Sequence, residues 1–259
     1  MDTQNSNLFD AAANSANTDP TIHDVLLQPV SDSRTSADLL LDQTSSAEEC
    51  WSLISDCKSS EQRLIAGTTL YHEGDVCKNL YFLLDGWVAT CRSLQDGRQL
   101  TLSFLMKGAF LGFQSNLLLP MNNSMRCLTD SIVSVLPRHK FIALLEKHPD
   151  LLQLLTQTKA VDEKIIFDNL FNIATRPARA RVARFLIDIH TRIVRAHPEQ
   201  DSKDVYLPLT RQNIADALGL TNVHISRAMC AMQRENLFSF KNMRLQIHDF
   251  ERLLKIANH

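Results

Sequence analysis

The stretch from Thr210 to Met232, TRQNIADALGLTNVHISRAMCAM, decides how the chain is interpreted. It predicts two short helices joined by a tight turn. The hydroxyl of Thr210 can cap the first helix and that of Thr221 the second, because each can accept a hydrogen bond from an unpaired backbone donor. Gly219 falls where the chain must reverse, and a residue without a β-carbon adopts a positive φ there at little cost. Ala215 is small where the two helices cross.

This pattern is typical of a helix-turn-helix, which places its second helix in a DNA groove. The alternative is an ordinary antiparallel helix pair in a small core. The run from Met243 to Ile247 alternates apolar and polar residues and predicts the wing of a winged helix, and Val205 to Leu209 (VYLPL) predicts another short strand. These neighbours favour DNA binding. The predicted DNA-contacting residues are Arg211, Thr221, Asn222, Val223, His224, Ser226 and Arg227.

Four of these residues have a specific predicted role. Arginine matches the two major-groove acceptors of guanine in a bidentate fork, so Arg227 is the predicted base-reading residue. Ser226 is expected to contact a phosphate or a base edge, and Val223 a thymine methyl group. For His224, a phosphate contact and a merely exposed position remain equally open.

Length and composition exclude several classes of protein. A chain of 259 residues with 44% hydrophobic residues is long enough for two globular domains. No apolar run approaches the roughly 20 residues of a membrane span, and the N-terminus lacks the pattern of a secretory signal. The six cysteines are scattered without a CxxC pair, which fits buried thiols in a cytoplasmic protein. No catalytic motif is present, so we do not expect an enzyme.

Charge is distributed unevenly along the chain. Residues 1–60 carry 2 basic and 10 acidic side chains, net −8, and residues 61–175 carry 11 of each. Residues 176–259 carry 14 basic and 8 acidic side chains, net +6. Lysine and arginine displace condensed counterions from DNA, so the positive C-terminal third supports the helix-turn-helix interpretation and double-stranded DNA as the partner.

The sequence divides into four parts. Residues 1–45 are polar and acidic and bury too little apolar surface to fold, which predicts a disordered tail. Residues 46–148 contain short apolar strands broken by glycine turns, typical of a sandwich or barrel, with Asp96-Gly97 as a hairpin signal. Residues 149–174 form a long helix, and residues 175–259 a winged helix-turn-helix domain. The fold class is therefore α+β.

The long helix is apolar over much of its circumference. A helix that only joins two domains does not need so wide an apolar surface. A helix that packs on its own β domain and also pairs with the same helix of a second copy does need one. We therefore predict a homodimer. Its predicted interface residues are Leu151, Leu154, Thr158, Val161, Ile165 and Ile166.

The order of these parts resembles the cyclic-AMP receptor and fumarate–nitrate reduction regulator superfamily of bacterial transcription factors. The resemblance covers roughly residues 50 to 259 and is carried by the glycine turn around Gly74, the segments LYFLLDGWV and KGAFLGF, and the winged helix. It implies a β-roll sensor (a jelly roll like that of cyclic-nucleotide-binding domains), a dimerisation helix and a DNA-binding domain. It also implies homodimers on twofold-related half-sites, and contact with RNA polymerase if the protein is an activator.

The segment GFQSNLLL resembles the fumarate–nitrate branch and its nitrogen-fixation relatives more than the cyclic-AMP branch. After Gly112 there is no glutamate for a ribose, and Met121 to Ser124 replace the family's arginine–serine pair for a cyclic phosphate. A buried phosphate without a cation is costly, so control by cyclic nucleotides in the usual form is not expected. The residues of this effector pocket are Gly112, Phe113, Gln114, Ser115, Ser124 and Arg126.

No cofactor or metal is predicted. An iron–sulfur cluster requires four thiolates, but only Cys50 and Cys57 precede the β-roll, and Ser134 replaces the family's distant fourth cysteine. Haem is the remaining alternative, with His72, Cys77 or Cys127 as the candidate axial ligand. On the recognition helix, Val223 replaces the glutamate of fumarate–nitrate relatives, while Ser226 and Arg227 match them.

Overall fold

The computed structural model describes residues 52–93, 99–114, 119–196 and 203–258. The predicted disordered tail and the Asp96-Gly97 turn lie outside these ranges. None of the helices within them is long and apolar enough to cross a membrane.

An N-terminal β-roll consists of two four-stranded antiparallel sheets. One sheet has the order β1-β8-β3-β6 and the other β2-β7-β4-β5. The strands are β1 (Ser60–Leu64), β2 (Thr69–Tyr71), β3 (Asn79–Asp85), β4 (Val88–Ser93), β5 (Gln99–Leu105), β6 (Phe110–Leu111), β7 (Ser124–Cys127) and β8 (Ser131–Pro137). Four glycines at turns of the β-roll, Gly67, Gly74, Gly86 and Gly108, have positive φ. At Gly86 a β-carbon would lie 2.3 Å from Ser131 Oγ, so this turn requires glycine.

Helices cover one sheet of the β-roll. Residues 52–56 form α1, followed after the strands by α2 (Arg138–Lys147) and the long helix α3 (Pro149–Thr175). An apolar cluster joins these helices to the sheet. Its buried members are Ile54, Leu80, Phe82, Phe110, Phe113, Leu136, Phe141, Leu151 and Leu155. The core between the two sheets is separate and contains residues such as Leu83, Val88 and Leu111.

The C-terminal part is a winged helix, as the sequence predicted. Its elements are α4 (Ala178–Ala196), β9 (Val205–Tyr206), α5 (Arg211–Leu218), α6 (Asn222–Arg234), β10 (Phe238–Lys241), β11 (Arg244–Ile247) and α7 (Phe250–Asn258). Strand β11 pairs with both β10 and β9, so the VYLPL segment contributes to the wing sheet. The α+β class and the order of β-roll, long helix and winged helix are therefore confirmed.

Candidate nucleic-acid interface

The helix-turn-helix begins with a reciprocal cap at Thr210. The Thr210 hydroxyl accepts a hydrogen bond from the backbone N–H of Asn213 at 3.1 Å. In return, Asn213 Oδ1 accepts one from the backbone N–H of Thr210 at 2.9 Å. This capping box uses asparagine where glutamate or glutamine is more common. Helix α5 ends at Gly219, which has φ 62° and reverses the chain as predicted.

Helix α6 starts at a second threonine cap. Thr221 Oγ1 accepts from the backbone N–H of His224 at 3.3 Å and lies 3.0 Å from the ring atom Nδ1 of the same residue. The caps predicted at Thr210 and Thr221 are therefore both confirmed. Because Nδ1 is engaged with the cap, a contact between His224 and DNA would use Nε2.

Burial separates α6 into a core face and a free face. The core face consists of Ile225, Ala228, Met229 and Met232, all buried. Asn222, Val223, His224 and Arg227 are exposed, and Ser226 is half-buried. Val223 is 56% exposed although it is apolar. The free face therefore carries the residues that the sequence predicted to meet DNA.

One predicted residue of α5 joins this face. Arg211 Nη1 lies 3.5 Å from Ser226 Oγ, so the exposed Arg211 guanidinium stands beside the middle of α6. Arg227, the next residue of α6, is also exposed, so Arg211 and Arg227 are two cations on the surface of the helix-turn-helix. Such a group offers phosphate and base-edge donors together.

The wing adds residues that the sequence analysis did not single out. Lys241 pairs with Arg244 across a two-residue loop in which Asn242 and Met243 have φ of 52° and 58°. Positive φ at both positions defines a type I′ turn, which asparagine favours and methionine does not. Met243 is 45% exposed and Lys241 is also exposed at the tip. In the sequence, Asn242 directly after the alternating residues of β10 was the signal for this turn.

A partly open cavity of about 360 Å³ lies between the β-roll and the long helix, near the predicted effector pocket. Gly112, Phe113 and Gln114 line it, as do four residues of the long helix that were not predicted to lie in this pocket. These are Lys159, Asp162, Glu163 and Ile166. Lys159 forms an ion pair with Asp162 at 3.4 Å. Among the described lining residues, one cation thus faces two acidic side chains, which disfavours an anionic ligand.

The other residues of the predicted effector pocket lie elsewhere. Ser124 is buried, and its hydroxyl accepts a hydrogen bond from the backbone N–H of Glu73 at 2.9 Å. Arg126 is exposed and lines a different cleft, toward the winged helix. Ser115 lies outside the described residues. Asn122 and Asn123 instead contribute polar atoms to the cavity wall.

The candidate haem ligands differ in exposure. His72 is exposed, Cys77 is half-buried and Cys127 is buried. Burial raises the pKa of the Cys77 and Cys127 thiols, which opposes formation of the thiolate that binds iron. Burial likewise raises the pKa of Cys57, and Cys50 lies outside the described residues. Across the described ranges, no group of three or more His, Cys, Asp or Glu residues could hold a metal ion.

The β-roll and the winged helix pack against each other. Phe104 of β5 and Phe185 of α4 make an edge-to-face contact with ring centroids 5.9 Å apart. The buried Arg192 donates a hydrogen bond to the carbonyl of Phe104. Beside this contact, a cleft of about 1130 Å³ separates Gln212, Asn222 and His224 from the β-roll surface. The N-terminal end of α6 therefore faces the β-roll.

The long helix α3 has two distinct apolar sides. Of the predicted dimer stripe, Leu151 and Thr158 are buried within their own subunit, whereas Leu154, Val161, Ile165 and Ile166 are half-buried. Leu152, Phe167, Leu170 and Phe171 are 44%, 67%, 60% and 59% exposed. By the 3.6-residue period of the helix, these four residues lie opposite the predicted stripe. We call them the exposed apolar face of α3.

A β-roll joined by a long helix to a helix-turn-helix whose second helix exposes a polar face defines a DNA-binding regulator with a sensor-type domain. Profiles of known families agree with this class. The cyclic nucleotide-binding domain profile matches residues 61–148, and the Crp-like helix-turn-helix domain profile matches residues 180–256. The chain belongs to the Crp/Fnr family of transcription regulators.

Individual relatives support this assignment. The chain is 31% identical over 172 residues to the transcriptional activatory protein AadR of Rhodopseudomonas palustris, covering 65% of this chain and 69% of that protein. It is 28% identical to the nitrogen fixation regulation protein FixK of Bradyrhizobium diazoefficiens, covering 74% and 79%. The structure of FixK2 from Bradyrhizobium japonicum superposes with a TM-score of 0.70 at 21% identity, over 76% of this chain and 96% of that one. The predicted affinity to the fumarate–nitrate and nitrogen-fixation branch is confirmed.

Proposed function

We propose that this regulator acts as a homodimer whose two α6 helices read the half-sites of a twofold-symmetric operator. The observation that carries the proposal is the free face of α6, where Arg227 and Asn222 are exposed above a buried core face. Arg227 reads a guanine, Ser226 and Arg211 contact phosphate or a base edge, and Lys241 of the wing contacts the backbone.

Competition binding tests this proposal. A selected operator and a random duplex are compared at one fixed salt concentration, because phosphate contacts make affinity strongly salt-dependent. We expect the operator to bind at least about 10³-fold more tightly, the lower bound for specific regulators. Equal affinity for the two duplexes would contradict the proposal.

The exposed apolar face of α3 is the dimer surface in this proposal. Phe167, Leu170 and Phe171 together leave a large apolar area in water, and burying each side chain against a twin stabilises the dimer by about 1.5–3 kcal/mol. Lys164 and Asp168, which neighbour Phe167 in sequence, form an ion pair at 3.0 Å. Because these charges neutralise each other, they do not hold two subunits apart. The dimer should therefore form without a ligand.

By analogy with the activatory protein AadR, we propose that the chain activates transcription and contacts RNA polymerase. Its place would be the cytoplasm, on DNA when active.

A second function is favoured by the β-roll cavity: a sensor whose effector controls DNA binding. The lining of apolar residues and amides, with a net negative rim, suits an uncharged ligand of moderate size better than a phosphate or haem.

Cyclic AMP should not tighten DNA binding. The cavity has an ion-paired Lys159 and two acidic side chains where a cyclic phosphate requires an available cation. Titration calorimetry of the full chain with cyclic AMP should give no measurable heat of binding. A micromolar dissociation constant would overturn this prediction and favour a nucleotide sensor.

Contact between the domains restrains DNA binding in this proposal. To read DNA, the N-terminal end of α6 must lie along a major groove about 12 Å wide. In the structure this end borders a cleft of about 1130 Å³ beside the β-roll, which has room for a small molecule and not for a duplex. The winged helix must therefore move away from β5 before α6 can enter the groove. The hydrogen bond from Arg192 to Phe104 and the Phe104–Phe185 contact oppose this movement.

Arg192→Met should consequently bind the operator about tenfold more tightly than the parent chain. Methionine retains much of the apolar bulk but loses a charged hydrogen bond, typically worth about 1.5–3 kcal/mol. Operator affinity is measured by fluorescence anisotropy, with Lys255→Met on α7 as a control for the lost charge. Circular dichroism verifies folding. Unchanged or weaker binding by a folded Arg192→Met variant would exclude a restraining role.

A further inference from the structure

Three side chains form a hydrogen-bonded chain across the turn of the helix-turn-helix. Gln212 Nε2 donates to Asp216 Oδ1 at 2.5 Å, within α5. Asn222 Nδ2, the first residue of α6, donates to Gln212 Oε1. Gln212 and Asn222 are exposed, and Asp216 is half-buried. The network lies entirely within the helix-turn-helix, so it moves with α6 when the winged helix moves.

The carboxylate of Asp216 fixes which group donates and which accepts in both hydrogen bonds of this network. An ionised carboxylate only accepts hydrogen bonds, so Gln212 must turn its NH₂ group toward Asp216. The Gln212 oxygen then faces Asn222 and can only accept. Asn222 must therefore turn its NH₂ group inward, and its Oδ1 is left for a partner outside the protein. Without Asp216, either amide could rotate by 180° at little cost.

We infer that Asp216 is a positioning residue for base selection, acting through Gln212 on Asn222. The inference rests on the proposed function of α6 as the DNA-reading helix. An outward oxygen accepts from the exocyclic amino group of adenine or cytosine, and the second hydrogen of the Asn222 amide remains available for adenine N7. Guanine and thymine would place an acceptor oxygen opposite Asn222 Oδ1. Two acceptors cannot form a hydrogen bond, so these bases are disfavoured. Asn222 should therefore select adenine or cytosine on the contacted strand.

Reversing the donor and acceptor roles of the hydrogen bonds in this network provides the test. A lysine ammonium only donates, so in Asp216→Lys the Gln212 oxygen turns toward Lys and its NH₂ group toward Asn222. Asn222 then turns its own NH₂ group outward. The preferred base should change from adenine or cytosine to guanine or thymine, with about a tenfold change in each ratio. Asp216→Ala should lose the preference without reversing it.

The measurement is competition binding of the full chain to four operators that differ at one base pair per half-site. The position is located first, as the one at which Asn222→Ala loses base preference. Glu251→Lys, an exposed residue of α7, makes the same charge change outside the network. It should raise overall affinity and leave the order of bases unchanged. Gln212→Glu keeps an acceptor beside Asn222, so it should retain the adenine or cytosine preference.

The outcomes separate this inference from the proposed function. If the parent chain selects an operator and Arg227→Ala weakens that selection, but both Asp216 variants keep the parent order of bases, the inference is overturned and the function stands. If the parent chain has no operator preference, the proposed function itself fails. A merely structural network would lower the melting temperature of the Asp216 variants without altering base order, and that result also overturns the inference.

Discussion

Arg227→Ala should remove most of the discrimination between the operator and random DNA. Arg227 is exposed on α6 next to Ser226, within the first two turns of the helix, where base edges are usually read. A bidentate contact with guanine is worth about 1–3 kcal/mol of discrimination, and the dimer makes it twice. The expected loss in specificity ratio is therefore between about 30-fold and about 20,000-fold. Competition binding at constant salt measures this ratio.

Arg234→Ala is the matched control for Arg227→Ala. Arg234 is an exposed cation at the far end of the same helix, so its removal costs the same charge without removing the base contact. Both variants should retain salt-dependent nonspecific binding. The assignment of Arg227 fails if its alanine variant prefers the operator as strongly as the parent chain does.

Replacing both Phe167 and Phe171 with glutamate should convert the dimer to a monomer. The two rings are 67% and 59% exposed, and in a twofold assembly each glutamate would face like charge from the twin. Loss of about 1.5–3 kcal/mol for each of the four buried rings raises the dissociation constant by at least about 10⁴-fold. Sedimentation at low micromolar concentration distinguishes the two states.

Two variants define which side of α3 pairs. Ile165→Glu alters the stripe predicted from sequence, and Phe250→Glu introduces a charge at an apolar residue of α7 that is 42% exposed. Both should remain dimeric if the exposed apolar face carries the contact. If Ile165→Glu is monomeric and the Phe167→Glu, Phe171→Glu double variant remains dimeric, the result supports the predicted stripe instead. Whichever variant is monomeric should also lose operator affinity, since one winged helix contacts only one half-site.

Local chemistry explains why the helix-turn-helix could be predicted in detail. Caps at Thr210 and Thr221 and the positive φ of Gly219 depend on neighbours within a few residues. The burial of α6 follows from its 3.6-residue period. Even the link between Gln212 and Asp216 had a signal, because glutamine and aspartate four residues apart are neighbours on a helix. The bond from Gln212 to Asn222 had none, since it depends on how two helices cross.

Long-range contacts set the limits of the sequence interpretation. The helix α3 is apolar on both sides, so its composition cannot distinguish the side that packs on the β-roll from the side left for a twin. Leu151 and Thr158 are covered by their own subunit, which only the folded chain reveals. The cavity combines Gly112 with Lys159 and Glu163, about fifty residues away in sequence, and its charge could not be assessed from one segment.

Selection of binding sites from a library of random-sequence duplexes tests the central claim most directly. The claim is that two copies of α6 read one operator through Arg227 and Asn222. It predicts that the recovered sites are inverted repeats with half-site centres one helical turn apart, about 10 base pairs or a multiple of it. Each half-site should contain the guanine read by Arg227. Recovery of sites without inverted symmetry, or of no common sequence, would contradict the account.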